Sequence, residues 1–144
     1  EKDGVVREYN SVGKVIWEFD IPLFGKQPKS GHGPEAFGDQ VYSAIRLDNG
    51  NTLIGTGNGH SVLEVTSDKE IIWKLDQYDL PGITLAWVTQ VRRLQNGNTL
   101  FVNCHAGPKN PQIIEVTPDK EVVWTYRDFE LFGNALPVAV VEAK

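Results

Sequence analysis

Three histidines, one cysteine and one misplaced tryptophan are the residues of this chain from which chemistry could be built. His32 stands in Gly31-His32-Gly33, His60 follows the Gly57-Asn58-Gly59 bend, and His105 follows Cys104, the only cysteine. Three imidazoles could share a tetrahedral metal only if three separate loops converged. The scattered histidines and the lack of an acidic calcium loop predict that no metal and no organic cofactor is bound. A nucleophilic thiolate needs a base within hydrogen-bond reach. Adjacent residues on an extended segment point apart, so Cys104 and His105 are not expected to act as such a pair. No Ser-His-Asp arrangement occurs, and the Gly55-Thr56-Gly57-Asn58-Gly59 run precedes a strand rather than the helix a phosphate loop requires. No catalytic residue is assigned.

What must position these groups is a repeat. Val6-Arg7-Glu8-Tyr9 leading to Val15-Ile16-Trp17 is written again as Val62-Leu63-Glu64-Val65 leading to Ile71-Ile72-Trp73. It returns as Ile113-Ile114-Glu115-Val116 leading to Val122-Val123-Trp124. A period of about fifty residues, made of short strands and tight turns, indicates a repeat architecture. Four strand types recur. Type A covers Val41 to Leu47, Ala86 to Leu94 and Val138 to Ala143, and type B covers Thr52 to Thr56 and Thr99 to Asn103. Type C carries the apolar-Glu-apolar segment, and type D ends on the tryptophan. Asn49-Gly50 and Asn96-Gly97 join A to B, and such Asn-Gly pairs predict type I′ hairpins. Ser67-Asp68-Lys69 and Pro118-Asp119-Lys120 supply the C-to-D turns.

The chain therefore spells C-D, A-B-C-D, A-B-C-D, A. Residues 1–20 are a partial unit, 41–76 and 86–127 complete units, and 138–144 the first strand of another. The expected fold is all-β: a β-propeller segment of four-stranded antiparallel blades, part of a ring of six to eight. A β-sandwich is the alternative, because it too uses short strands at regular spacing. A sandwich, however, does not require a tryptophan at one place in every unit. Trp17, Trp73 and Trp124 are read as structural, each buried between blades and removing about 150–250 Å² from water. Glu8, Glu64 and Glu115 recur as strictly and are read as hydrogen-bond acceptors of the framework.

The Gly13-Lys14-Val15-Ile16-Trp17 stretch resembles the pyrroloquinoline-quinone-type blade signature, whose pattern runs through Gly-Lys-x-x-Trp. The two Asn-Gly-Asn-Thr-Leu hairpins, followed by an apolar-Glu-Val segment and a tryptophan, resemble arylsulfotransferase-type propellers more closely. The resemblance spans most of the chain and implies blade architecture. It transfers no activity: the strands before the hairpins, Tyr42 to Leu47 and Val88 to Leu94, contain no histidine. One cysteine also cannot form the vicinal pair common in quinone dehydrogenases.

Composition narrows the partners. A formal charge of −5, with Arg92-Arg93 the nearest approach to a basic run, excludes a nucleic-acid binder. No apolar run is long enough for a membrane span. The D–A connections are long and carry Phe24, Phe37, Tyr78, Phe129 and Phe132. Together with the B–C connections they place His32, His60, Cys104 and His105 on one rim. Trp87 lies outside the D-strand register, at the start of an A strand, and aligns by count with Gln40. It is either a stacking platform for a ligand or packing beneath the long loop. These features predict a non-catalytic binding or scaffold module, in an exported or surface-associated protein, whose loop-rich face meets an unknown ligand. Carbohydrate is the favoured class, and Trp87, His32, His60, His105 and Gln40 are the candidate contacts. The remaining blades of the protein or a second copy would close the ring. The alternative is part of an arylsulfotransferase-like or quinoprotein-like enzyme whose catalytic residues lie elsewhere.

Overall fold

A computed structural model describes residues 3–134. Ten strands form three antiparallel sheets. The first holds β1 (Val5–Tyr9) and β2 (Val15–Asp20). The second runs β3 (Ser43–Arg46), β4 (Thr52–Gly55), β5 (Val62–Val65), β6 (Ile71–Leu75) in spatial as in chain order. The third repeats that meander with β7 (Trp87–Arg93), β8 (Thr99–Cys104), β9 (Ile113–Val116) and β10 (Val122–Tyr126). A short helix, α1 (Phe129–Phe132), follows, capped by Asp128. The chain is thus all-β with propeller-like four-stranded blades. Among the described residues the sheets do not close into a ring, and the A strand expected over 138–144 lies outside them. No described helix is long and apolar enough to cross a membrane.

Stacking explains the burial pattern. Both β4 and β5 are buried at every position, because the second sheet is covered on each face. Phe19, Ile21 and Val41 meet Ile54, Leu63 and Val65 on one side. On the other, Leu53, Val62 and Leu75 meet Val88, Val91, Phe101 and Ile114. Apolar residues fill both faces of the inner strands since neither face reaches water.

The hairpins are not the expected type I′. In both A–B connections only the glycine has a positive φ, +86° at Gly50 and +87° at Gly97. Gly50 N–H donates to Leu47 O (2.9 Å) and Leu47 N–H to Asn51 O (2.8 Å). That is a type I turn closed by a left-handed residue. The preceding asparagine instead caps the turn: Asn49 Oδ1 accepts from Asn51 N–H and Asn96 Oδ1 from Asn98 N–H, both at 3.0 Å. The last asparagine of each Asn-Gly-Asn has a separate task. Asn51 donates to Glu64 and Asn98 to Glu115, each at 2.7 Å.

The repeated tryptophans and glutamates clamp neighbouring sheets together. Arg93 of β7 pairs with Glu64 of the preceding sheet (2.6 Å), its guanidinium 5.9 Å from the Trp73 ring centroid. Arg46 of β3 pairs with Glu8 and lies 4.8 Å from the Trp17 centroid. Each indole N–H then donates forward, Trp17 to Ser67 O (2.9 Å) and Trp73 to Pro118 O (2.8 Å). The expectation that all three tryptophans are equivalently buried between blades needs correction. Trp17 and Trp73 are half-buried, because each ring lies at the sheet margin with its edge reaching a turn carbonyl, and Trp124 of β10 is 47% exposed.

Candidate functional site

Residues 21–42, between β2 and β3, fold over the mouths of β4 and β7 and are fastened by amides and an imidazole. Lys29 and Phe37 exchange backbone hydrogen bonds at 2.8 and 2.9 Å, forming a small hairpin with His32 near its tip. Gln77 Nε2 donates to Pro34 O at 2.8 Å and to Leu85 O at 3.1 Å, linking that hairpin to the next connection. Asn58 Oδ1 accepts from Gln40 N–H at 3.0 Å. On the neighbouring side Asn103 Oδ1 accepts from Ala86 N–H at 2.8 Å, and its Nδ2 donates to Thr84 O at 3.0 Å.

His60 belongs to this bracing. It is fully buried with φ +56°, its Nδ1 is 2.5 Å from Ala86 O, and its Nε2 contacts Ala36 O. Both ring nitrogens therefore face backbone. Gln40 is exposed, and its backbone does the work: a Cβ placed on Gly57 would come within 2.1 Å of Gln40 O. Gly57 and Val88 are joined by two backbone hydrogen bonds of 2.9 and 3.1 Å, which tie the second sheet to the third at this point.

The remaining candidates converge. His32 stacks on Trp87 (centroids 5.5 Å apart, planes at 22°) and lies 5.4 Å from the ring of His105. Trp87 and His105 are 6.4 Å apart, and Tyr42 meets Trp87 edge-on at 5.9 Å. Trp87 is only 8% exposed, and its buried Nε1 has no hydrogen-bond partner among the described residues. A bulge between Val88 and Val91 places two residues of β7 opposite Val102. Tyr42 was not singled out by sequence; an aromatic at the start of an A strand, one residue after Val41, was its only signal.

Cys104 and His105 do meet, against expectation. His105 adopts φ +58°, which folds its ring back so that Nδ1 lies 2.9 Å from Cys104 Sγ. An extended backbone would have separated them. Burial pushes the Cys104 thiol above its ordinary value, so the sulfur keeps its proton and donates it. His105 Nδ1 is then the acceptor, and Nε2 carries the ring proton. His105 itself is held below the usual imidazole range, first by desolvation and then by the charge of His32. A folded-state value below the unfolded one means His105 favours folding above about pH 6.5, and that contribution is lost as pH falls. In an NMR titration the His105 resonance is expected to titrate below that of a model imidazole, and His32→Gln should move it upward. Among the described residues no three His, Cys, Asp or Glu side chains come together as metal ligands.

No protein-family model and no curated protein matches this chain. Solved structures do. A crystal structure of a protein of unknown function from Bacteroides caccae superposes with a TM-score of 0.70 at 24% identity, over 92% of this chain and 45% of that one. Streptogramin B lyase, a β-propeller, superposes with a TM-score of 0.54 at 16% identity, over 87% of this chain and 34% of that one. The chain thus spans less than half the length of each of these two structures. At such identities the likeness shows a shared propeller-like fold.

Proposed function

We propose that this chain is a non-catalytic, propeller-like binding module, and that its ligand docks on the rim where His32, Tyr42, Trp87 and His105 converge. The observation that carries this reading is the buried Trp87 Nε1–H, which has no acceptor among the described residues. Buried indole N–H groups ordinarily find a partner. A ligand with ring faces and oxygen acceptors would supply it, and carbohydrate has both. His105, neutral and protonated on Nε2, offers a second donor of the same kind. His32 is exposed at the loop tip and covers the indole, so it is the group a ligand would displace or stack upon. His60 serves this site by bracing it. Further blades complete the ring around the module.

Oligosaccharide titration by calorimetry tests the reading, with Trp87→Phe as the informative variant. Phenylalanine keeps a ring in the packed space and deletes the donor. Losing one hydrogen bond of about 1 kcal/mol should weaken binding by roughly three- to tenfold with little change in fold. No oligosaccharide binding in the parent protein, or unchanged affinity in Trp87→Phe, would sink it.

A further inference from the structure

Of the rings that meet Trp87, two are fixed and one is not. Tyr42 N–H donates to Gly55 O at 3.1 Å, which seats that residue beside β4. His105 N–H donates to Asn134 O at 3.1 Å, and its Nδ1 is engaged by Cys104. His32 is different. Its exposed imidazole is held by ring contacts alone, and among the described residues Ser30, Gly31 and His32 make no hydrogen bond. The chain on either side of this tip is pinned. Lys29 and Phe37 bond each other, Ala36 N–H donates to Gly33 O at 3.1 Å, Gln77 holds Pro34 O, and His60 holds Ala36 O. A free segment of three residues therefore stands between fixed ends. Gly31, at φ +136°, gives it a pivot that a side-chain-bearing residue would resist.

We propose that the Ser30-Gly31-His32 tip is a lid on Trp87, and that the His32 imidazole occupies the place a single sugar ring takes when the lid lifts. The inference rests on the binding reading above and adds that His32 is displaced rather than stacked upon. Geometry separates the two. The imidazole lies nearly parallel to the indole, at 22° with centroids 5.5 Å apart. A ligand on the outer face of His32 would sit one ring layer too far away to reach the buried indole N–H. A ligand in the imidazole's place lies on the indole itself and brings its oxygens to the edge of that ring. His32 is then a built-in competitor, and apparent affinity is set by the fraction of molecules with the lid open. An aromatic stack of this kind shifts such an equilibrium by about two- to tenfold. The braces at Gln77, Asn58 and His60 keep the motion local, because they hold the base of the loop while the tip swings.

The test is hydrogen exchange at the Trp87 indole N–H, followed by NMR in the intact chain and assigned by its loss in Trp87→Phe. It needs no ligand. His32→Ala is expected to speed this exchange by about two- to tenfold, whereas His32→Phe keeps a ring over the indole and leaves exchange slow. The Trp73 indole, bonded to Pro118 O, should exchange at the parent rate in both variants and so report an intact fold. Calorimetry with cellotriose is the second arm, and His32→Ala should bind it more tightly than the parent by a similar factor. Unchanged Trp87 exchange in His32→Ala overturns the proposal. Weaker cellotriose binding by His32→Ala also overturns it, because the imidazole would then be a contact and not a cover. Absence of cellotriose binding by parent and variants alike counts against the carbohydrate reading alone, and the exchange rates still decide the lid.

Discussion

Gly57→Ala is expected to destabilise the protein by about 2–4 kcal/mol and to disorganise the His32–Trp87 rim. Two causes act together. The residue has φ +56°, a conformation that costs a side-chain-bearing residue roughly 1–2 kcal/mol. The added methyl would also meet Gln40 O at 2.1 Å, a backbone atom with no rotamer to escape into. Relief requires moving residues 38–42 outward or breaking the paired hydrogen bonds between Gly57 and Val88. Either shift moves Tyr42 or Trp87, so ligand binding and stability should fall together. Gly97→Ala is the control: its φ is similar, +87°, but no atom lies within 4 Å of the added carbon. Thermal unfolding separates the two, and equal losses for both would show that the clash with Gln40 contributes nothing.

The three repeated glutamates should differ sharply when each is changed to alanine. Glu64→Ala is expected to cost about 3 kcal/mol, because a buried pair loses one partner. Its carboxylate is 10% exposed and holds Arg93 as well as the Asn51 and Asn49 amides. Arg93, whose Nε is already buried without a partner, would be left with no countercharge. Glu8→Ala should cost less than about 1 kcal/mol, since its side chain is 42% exposed and the pair with Arg46 is screened by water and salt. Glu115→Ala loses the Asn98 hydrogen bond and should fall at or below the Glu8 value. Denaturant midpoints at unchanged slope give the ordering. Similar losses at Glu8 and Glu64 would mean that burial of the clamp does not set its strength.

The meander of each blade was legible because its signals are local. Strand alternation, a left-handed residue after each turn and a tryptophan closing each fourth strand all act within a few residues. Gly13, Lys69 and Lys120 take φ of +79°, +70° and +66° at equivalent turn positions, although only one is glycine. A type I turn closed by one left-handed residue and a type I′ turn share the Asn-Gly signature, which is why the hairpin type was misread while the hairpin itself was not.

The purpose of the repeated glutamates and arginines was hidden for a different reason. Glu64 and Arg93 are in different sheets, and nothing in a single unit's sequence says that the carboxylate of one unit waits for the guanidinium of the next. The rim was partly visible, since long loops concentrate aromatics and histidines on one side of the meander. Convergence was not. The loop that carries His32 lays its ring on Trp87 of another sheet, and one left-handed residue at His105 turned an imidazole onto the neighbouring thiol. His60 looked like its exposed counterparts until packing sealed it between two carbonyls. Sequence by itself determined the strands, their order and the repeat, because hairpins are settled by neighbours along the chain. Only the tertiary structure decided which histidines meet and which carboxylate meets which guanidinium, because those depend on how one sheet lies on the next.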